Sequence, residues 1–404
     1  MAGPLDGIQV LDLTRILAGP FATMRLGDMG ARVIKVEMPG SGDDTRLFGP
    51  PFVEGESAYF MSINRNKKSL TLNLRSEKGK EVLSKLIEVS DVVIENFRPG
   101  TLERLGFGYD RIQEINPRII YCAISGYGHT GPRSTDPSYD VITQAESGLM
   151  DITGLPEGPP NKVGISLADV TGGLTAVEGV LLALLHRGKT GKGQKVDISM
   201  LDSILALFTY QAQNYFATGQ TPQRRGNLHP TITPYESFTT RDSHLVLAVA
   251  NDGLWKSFRQ VLEAVATETT GPLLSELDDP KFATNPSRVE HREELRTILD
   301  QLFPSRTTDE WLEMLEAAGV PCGRINRVSD ALELDVVHAR DMVQEIDHPK
   351  AGRMRTLGIP VKLSDSPGEI QLPPPLLGEH TEEVLAGLGY STDDIQRMRA
   401  DGAV

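Results

Sequence analysis

The sequence predicts an α/β protein in which a large, doubly wound (Rossmann-like) parallel-sheet domain is joined to a smaller α+β domain. Two observations support this. Through the first 200 residues, short apolar runs alternate with helical patterns, which is typical of a parallel sheet with helices on both faces. The pattern then changes to polar, hairpin-like and helical segments, and a chain of 404 residues is long enough for two domains.

Apolar runs of strand length define the predicted sheet of the large domain. They cover residues 8–13, 32–37, 69–74, 91–95, 118–124 and 194–199. Helical patterns lie between them at 21–29, 77–89, 101–115 and 174–186, and another helix covers 200–218. Strands and helices therefore alternate in the order that a doubly wound sheet requires.

The predicted domain boundaries follow the change of pattern. Residues 1–200 form the large domain, and residues 201–225 form a linker with a polar stretch of Gly, Pro and Arg. Residues 226–325 form the small domain, with a hairpin at 235–249 followed by helices. Residues 326–404 combine scattered Pro and Gly, short β-like runs and two short helices.

Composition argues against several classes of function. A net charge of −14 disfavours nucleic acid and membrane surfaces as partners. The longest apolar run, near 177–185, is too short to span a bilayer, and no secretory signal is visible at the N-terminus. Cys122 and Cys322 have no partner motif, and no Cys/His cluster has metal spacing. We therefore expect a cytoplasmic protein without a metal site.

Asp169 is the most informative single residue. It lies where a loop-like segment meets the long apolar helix. The free N–H groups and partial positive charge of a helix start favour an ionised carboxylate, as a nucleophile requires. The same position also suits a helix N-cap, which satisfies those N–H groups. Both interpretations remain open from the residues alone.

The first strand, turn and helix are similar in outline to a dinucleotide-binding unit, with Glu37 as the acid at the end of the second strand. The turn lacks the G-x-G-x-x-G pattern, and Pro20 removes an N–H that a phosphate would use. These departures argue against NAD or FAD. The turn still lies at the carboxyl end of a strand, where open α/β sheets place their ligands.

Short motifs throughout the chain together resemble class III CoA-transferases, the CaiB/BaiF type. They lie at 13–20, 33–37, 40–46, 64–69, 93–100, 126–128, 139–140, 147–150, 153–154, Asp169, 189–194, 319–323 and 375–380. The runs at 11–24 and 65–68 are most similar to the branch that acts on short dicarboxylic acids with succinyl-CoA as donor. The motifs occur in order along essentially the whole chain.

The resemblance implies a fold and an assembly. Residues 1–200 would combine with the C-terminal part of 326–404 into the large domain, so that each subunit forms a ring. Two rings would thread through each other as an interlocked homodimer. Nothing in the residues alone predicts such a threaded arrangement, which departs from the usual rule.

The resemblance also implies a chemistry. Asp169 would attack an acyl-CoA thioester and form a mixed anhydride, and then an aspartyl-CoA thioester that a carboxylic acid attacks. CoA thioesters are then substrates, and no permanently bound cofactor is expected. Asp140 matches an acid near the nucleophile, where two carboxylates tune each other's pKa, but capping a helix is an equally simple role.

Further site residues follow from the resemblance. The CoA-binding positions are Ala18, Leu72, Asn96, Phe97, Arg104 and Tyr139. Arg15 and Arg46 are candidates for binding the distal carboxylate of a dicarboxylic acid, unless they form ion pairs with Asp43 or Asp44. His229 lies on a small-domain loop at 227–233 that is a candidate lid.

Two other functions remain to be weighed. Racemases of 2-methylacyl-CoA thioesters share the fold and pair a His with an Asp; the His position holds Tyr139 here, and tyrosine is too weak a base near neutral pH. A catalytically silent subunit that only binds CoA is the other alternative. Tyr139 thus argues against the racemase, and the intact Asp169 argues against the silent subunit.

Overall fold

The structure is a computed structural model, and it describes residues 3–268 and 270–404. Its strands are β1 (Gln9–Asp12), β2 (Arg32–Glu37), β3 (Phe52–Val53), β4 (Glu56–Ser57), β5 (Lys67–Thr71), β6 (Val92–Glu95), β7 (Ile120–Ser125), β8 (Lys195–Ser199), β9 (Tyr235–Thr239), β10 (His244–Ala248), β11 (Cys322–Arg324), β12 (Val343–His348) and β13 (Gly352–Leu357).

The α-helices are α1 (Ala18–Asp28), α2 (Ala58–Ser62), α3 (Glu77–Val89), α4 (Thr101–Leu105), α5 (Tyr109–Ile115), α6 (Asp140–Glu146), α7 (Leu149–Ile152), α8 (Leu167–Thr190), α9 (Met200–Leu205), α10 (Thr209–Thr218), α11 (Asp252–Ala264), α12 (Gly271–Glu276), α13 (Asn285–Glu290), α14 (Arg292–Leu302), α15 (Thr308–Ala317), α16 (Val328–Leu332), α17 (Asp335–Ala339), α18 (Thr381–Gly387) and α19 (Thr392–Ala400). Short 3₁₀ turns lie at Asp44–Leu47, Ala206–Phe208, Pro280–Phe282 and Phe303–Ser305.

The described residues form two compact units. The large unit contains the chain up to Met150, Lys162–Pro222 and Asp335–Val404, and the small unit contains Asp151–Asn161 and Gln223–Leu334. The small unit is therefore larger than the predicted 226–325, and it includes 151–161. That segment joins it through hydrogen bonds that no local pattern reveals: Gly226 N–H donates to the Gly154 carbonyl at 2.8 Å, and Arg224 donates to the Asp151 carbonyl at 2.8 Å.

A six-stranded parallel sheet in the order β5-β2-β1-β6-β7-β8 forms the centre of the large unit. This confirms the predicted sheet. Successive residues of β1 point to opposite faces, with Val10 in the core beneath α1 and α8 and Leu11 in the core beneath α3, α5, α18 and α19. Both faces are thus covered by helices, as the continuous apolar runs of the strands require.

Strand β1 lies between β2 and β6, so the chain leaves β1 toward one side of the sheet and later returns on the other. The loops after β1 and β6 therefore diverge at the carboxyl edge of the sheet. Such a switch point leaves a crevice where open α/β sheets bind ligands.

Helix boundaries differ from the predictions where local chemistry decides them. The helix predicted over 101–115 is two helices, because Gly106 has φ of +89° and ends α4. Helix α1 begins at Ala18 rather than 21, because Pro20 lies in its first turn, where the missing N–H costs no intrahelical bond. The predicted linker 201–225 holds most of α9 and α10, and the helix predicted over 200–218 is interrupted at 206–208.

One helix in the described part of the chain, α8, is long and apolar enough to cross a membrane by length and composition. It has 24 residues, and a stretch of 18 of them has a mean hydropathy of 1.5. This corrects the prediction that no segment reaches that length, because the helix extends beyond the apolar run on both sides. Ala176, Val180 and Ala183 of α8 are buried against the sheet, and core helices of soluble proteins have the same properties.

The small unit has its own core. Strand β10 pairs antiparallel with β9 and β11, which includes the predicted hairpin. Aromatic side chains fill the space between this sheet and the helices: the rings of Phe238 and Phe303 are stacked at 4.5 Å, and Trp311 donates to the Phe303 carbonyl at 2.8 Å. The indole N–H of the buried Trp311 side chain therefore has a hydrogen-bond acceptor.

Helix α2 depends on one capping side chain. The Ser57 hydroxyl accepts from Phe60 N–H at 3.3 Å and donates to the Phe48 carbonyl at 2.5 Å. We expect Ser57→Ala to lower the free energy of unfolding by about 1 kcal/mol, because the buried Phe60 N–H and the part-buried Phe48 carbonyl both lose this partner. Urea denaturation measures this. The control is Ser62→Ala at the exposed end of the same helix, with an expected change within about 0.5 kcal/mol; equal losses in both variants would contradict the assigned cap.

Candidate active site

A cavity of about 320 Å³ opens at the switch point of the large unit. The loops after β1 and β6 form two of its walls, and the segment before α6 and the start of α8 form the others. Among its lining residues are Arg15, Ala18, Asn96, Phe97, Tyr139 and Asp169. Residues that are far apart in the sequence therefore share one concave site at the ligand-binding edge of the sheet.

Asp169 is held in this cavity by the close packing of α8 against α1. It is the third residue of α8, and Gly172 and Gly173 follow on the buried side of the helix. A Cβ on Gly173 would lie 2.6 Å from the Ala18 carbonyl oxygen, a distance too short for any side chain. Glycine therefore lets the start of α8 approach the loop after β1, which brings Asp169 beside Ala18.

The N-terminus of α8 is capped by Asp140 and not by Asp169. The Ala168 N–H donates to the Asp140 carboxylate at 2.8 Å, and Gln144 donates to the other oxygen of Asp140 at 2.8 Å. Within the described residues, the Asp169 carboxylate accepts no hydrogen bond. The predicted capping role thus falls on Asp140, and Asp169 carries its carboxylate into the cavity.

The charge state of Asp169 differs from the prediction. Burial, and to a smaller extent the nearby Asp140 carboxylate, together raise the pKa of Asp169 from 3.8 to about 7. The helix start was expected to keep Asp169 fully ionised at neutral pH, but desolvation and the like charge outweigh that effect. Near pH 7, the side chain therefore exists as a mixture of carboxylate and neutral acid.

Tyr59 lines neither cavity, but it lies within electrostatic range of Asp169 and Asp140, and sequence reasoning did not identify it. Burial, and then the negative charges of Asp169, Asp140 and Asp43, together raise the pKa of Tyr59 to about 12. The phenol therefore stays protonated near neutral pH and keeps its hydrogen-bond donor. Tyr59 is on α2, and no local motif links this helix to Asp169, more than 100 residues later.

The loop after β1 is fixed by side chains from both neighbouring strands. Asn96, after β6, accepts from Arg15 N–H at 2.8 Å and donates to the Arg15 carbonyl at 2.7 Å. Asp43, after β2, accepts from Ile16 N–H at 3.3 Å, and Ile16 has an unusual φ of +69°. Buried Lys35 in turn donates to Asp43 and to the Thr14 carbonyl, both at 2.9 Å. These contacts hold the wall opposite Asp169.

A second cavity of about 550 Å³ continues from the first. Arg15, Phe97 and Thr101 line both. Leu72 and Arg104 line the second cavity, and Arg104 is exposed, with a 2.9 Å hydrogen bond from its guanidinium to the Thr101 hydroxyl. The six positions predicted to bind CoA are thus divided between two connected spaces.

The predicted substrate-binding residues have different environments. The Arg15 side chain is 54% exposed and lies 3.4 Å from Asp44. Arg46 is buried, donates twice to Glu37 at 2.7 Å and lies over the Phe60 ring at 3.7 Å, so its ion-pair partner is neither Asp43 nor Asp44. His229 is in the small unit, where its carbonyl accepts from Arg292 at 2.6 Å.

Groups of three or more His, Cys, Asp or Glu side chains suited to holding a metal ion are absent from residues 3–268 and 270–404. The cavity is lined by the Asp169 carboxylate and by Arg15, whose side chain is largely exposed, and the Asp140 carboxylate lies nearby at the start of α8. Such a set can perform nucleophilic chemistry on a carbonyl group.

Comparison with known proteins identifies the family of the chain. The profile of CoA-transferase family III matches residues 5–381. The chain belongs to this family. It is 42% identical to a succinyl-CoA:glutarate CoA-transferase from Mus musculus, over 99% of this chain and 90% of the mouse protein. It is 40% identical to a succinyl-CoA:mesaconate CoA-transferase from Haloarcula marismortui, over 96% of this chain and 98% of that protein.

A solved structure supports the same assignment. A CaiB/BaiF family protein from Brucella suis aligns with a TM-score of 0.84 and 40% identity, covering 96% of this chain and all of that one. These comparisons confirm the resemblance to class III CoA-transferases. The chain is an enzyme of the CoA-transferase type, and the dinucleotide-binding alternative is set aside.

Proposed function

We propose that the enzyme transfers CoA from succinyl-CoA to a small dicarboxylic acid, with Asp169 as the nucleophile. The observation that carries the proposal is the carboxylate of Asp169 in the cavity at the switch point, without a hydrogen-bond partner among the described residues. The similar proteins from mouse and Haloarcula are named for succinyl-CoA and for glutarate or mesaconate. Their names support this class of substrates.

The reaction exchanges acyl partners on one carboxylate. Asp169 attacks the thioester carbonyl carbon, which forms a succinyl–aspartyl anhydride and expels CoA thiolate. The thiolate then attacks the aspartyl carbonyl, releasing succinate and leaving an aspartyl-CoA thioester. The acceptor carboxylate attacks that thioester and forms a second anhydride with release of thiolate. The thiolate finally attacks the acceptor's carbonyl, which yields the new acyl-CoA and free Asp169. Water must be excluded while either anhydride exists.

The surrounding residues support particular roles in this scheme. We assign the acyl end of the thioester to the cavity of Asp169 and the nucleotide end of CoA to the second cavity, where Arg104 meets a phosphate. Arg15 lines both cavities and is largely exposed, so it is better placed than Arg46 to bind a distal carboxylate. His229 and its loop stay a predicted lid, and Asp140 tunes the charge of Asp169.

We also propose that the enzyme is a cytoplasmic homodimer. Large apolar side chains are exposed along α8 to α10, namely Leu174, Leu181, Leu182, Leu185, Leu205, Leu207, Tyr210, Tyr215 and Phe216. Exposed apolar surface of this kind favours association, and a second copy is the partner that the resemblance implies. The interlocked arrangement stays a prediction. Light scattering in detergent-free buffer should give about twice the chain mass of 44.1 kDa; a monomer would contradict the proposal.

The test of function is an exchange assay. The enzyme is incubated with succinyl-CoA and, separately, glutarate, mesaconate, oxalate and acetate, and new CoA thioesters are detected by mass spectrometry. Formation of dicarboxylyl-CoA is the expected result. Deuterium uptake at the α-carbon of a 2-methylacyl-CoA without exchange would instead indicate a racemase. CoA binding without either reaction would indicate a silent subunit, and both outcomes would overturn the proposal.

A further inference from the structure

Glu95 is a buried carboxylate that the reaction scheme leaves without a role. It is the last residue of β6 and is 2% exposed. Its carboxylate accepts from Phe97 N–H at 2.7 Å and from the Tyr121 hydroxyl of β7 at 2.9 Å. Glu95 lines neither cavity, so it does not reach the substrate directly.

The turn that Glu95 holds joins the two loops at the switch point. Asn96 accepts from Arg15 N–H and donates to the Arg15 carbonyl, and Phe97 lines both cavities. The bond from Phe97 N–H to Glu95 therefore fixes the backbone on either side of Asn96. If this bond weakens, Asn96 is held less firmly, and so is the loop after β1 to which Asn96 is hydrogen-bonded.

A third donor faces the same carboxylate. The His129 Nε2 atom is buried, lies 3.7 Å from the nearer Glu95 oxygen, and has no hydrogen-bond partner among the described residues. The Nδ1 atom lies 3.2 Å from the Lys195 ammonium, which can only donate. Nδ1 must therefore accept, which places the ring proton of neutral His129 on Nε2, directed at Glu95.

We infer that Glu95 is a positioning residue for binding of the CoA thioester, and that its ionised carboxylate keeps the turn at Asn96 and Phe97 in the binding conformation. This inference rests on the proposed function, because it takes the two cavities to be the CoA site. The ionised form suits the surroundings, since Phe97, Tyr121 and His129 all present donors and an ionised carboxylate only accepts.

The charge of Glu95 changes near neutral pH. Burial raises the pKa of Glu95 to about 7, and the bonds from Tyr121 and Phe97 oppose this increase. Burial and Lys195 lower the pKa of His129, so this ring stays neutral in the same range. The other titratable or charged groups that face the pair are Glu103 of α4, Cys122 of β7, and Lys195 and Asp197 of β8.

Protonation of Glu95 weakens the turn. A neutral carboxylic acid loses the charge-assisted strength of its bonds to Phe97 and Tyr121, and its own O–H competes with three donors for the same space. The affinity for CoA should therefore fall as the pH decreases through about 7. Asp169 also titrates in this range, so the test must separate the two residues.

The experiment measures CoA binding in protein that cannot react. Asp169→Asn removes both turnover and the titration of Asp169, and calorimetry with free CoA gives its Kd between about pH 6 and about pH 8. We expect Asp169→Asn/Glu95→Gln to bind about fivefold more weakly at the higher pH, with a smaller change in Kd across the range. Titration of the CoA phosphates is common to both proteins and cancels in the comparison.

Two further variants complete the test. Asp169→Asn/Glu103→Gln removes a nearby exposed carboxylate that makes no bond to the turn, and should bind as Asp169→Asn does at about pH 8, where Glu95 is ionised in both proteins. Asp169→Asn/Tyr121→Phe removes one donor to Glu95, and should weaken binding even if the Glu95 variant does not fold. Folded Glu95 or Tyr121 variants with unchanged Kd and pH dependence would overturn the inference. Absence of CoA binding to folded Asp169→Asn and to wild-type protein would overturn the proposed function instead, and the inference with it.

Discussion

Asp169→Asn should lower the rate of CoA exchange by about 10⁴-fold or more, because an amide cannot form the acyl–aspartyl intermediate. The same variant should not be destabilised. Within the described residues, the Asp169 carboxylate accepts no hydrogen bond, and Asp140 caps the helix in its place. We therefore expect no decrease in the free energy of unfolding at pH 7.

The direction in which the free energy of unfolding changes with pH can also be checked. The folded-state pKa of Asp169 is raised above its ordinary value of 3.8, so the stability associated with its proton is lost as the pH rises through about 7. The neutral Asn variant lacks this loss, and should be at least as stable as wild type above that pH.

The control for Asp169→Asn is Asp202→Asn. Asp202 is also an acid in the first turn of a helix, α9, but it is exposed and lines neither cavity. Exchange assays and urea denaturation are performed on both variants. A helix cap without catalytic function would show the opposite pattern at Asp169, namely retained exchange and a loss of about 1 kcal/mol.

The second large effect concerns the pH dependence of exchange. With the pKa of Asp169 near 7, the ionised fraction, and with it kcat, should be about tenfold lower at pH 6 than at pH 8. Asp140→Asn removes the like charge while its amide oxygen can still accept from Ala168 N–H. The pKa of Asp169 should then decrease, although burial, which is the larger cause, keeps it above 3.8.

We expect kcat of Asp140→Asn to vary less than about threefold between pH 6 and pH 8. Saturating concentrations of both substrates are needed, so that weaker CoA binding at low pH does not enter the measurement. Asp202→Asn again serves as the control and should keep the wild-type profile. An unchanged midpoint in Asp140→Asn would show that the two carboxylates do not interact as the structure indicates.

The parallel sheet could be predicted because its strands are buried on both faces and therefore leave continuous apolar runs. Local chemistry outside these runs was less informative. Gly106 separates α4 from α5, but a helical pattern continues across it in the sequence. The segment Asp151–Asn161 joins the small unit through contacts with residues 224 and 226, and no periodicity records such a long-range pairing.

In the candidate active site, too, some features could be predicted from sequence motifs and others depend on long-range contacts. Asp169 and the predicted CoA-binding positions could be named because motifs mark them, and the structure places all but Leu72 and Arg104 of these residues around the first cavity. The charge state of Asp169 could not be predicted, since it depends on burial and on Asp140. Glu95 was missed because its hydrogen bonds join residues on other elements, and Tyr59 because the charges near it come from distant parts of the sequence.

The most direct test of the account is to trap the intermediate on Asp169. The enzyme is mixed with succinyl-CoA in the presence of hydroxylamine, which converts an activated acyl group into a hydroxamate but does not react with a free carboxylate. Trypsin then releases residues 163–187, in which Asp169 and Glu178 are the only side-chain carboxylates. We expect a hydroxamate on Asp169 that depends on succinyl-CoA; continued CoA exchange with Asp169 unmodified would contradict its role as the nucleophile.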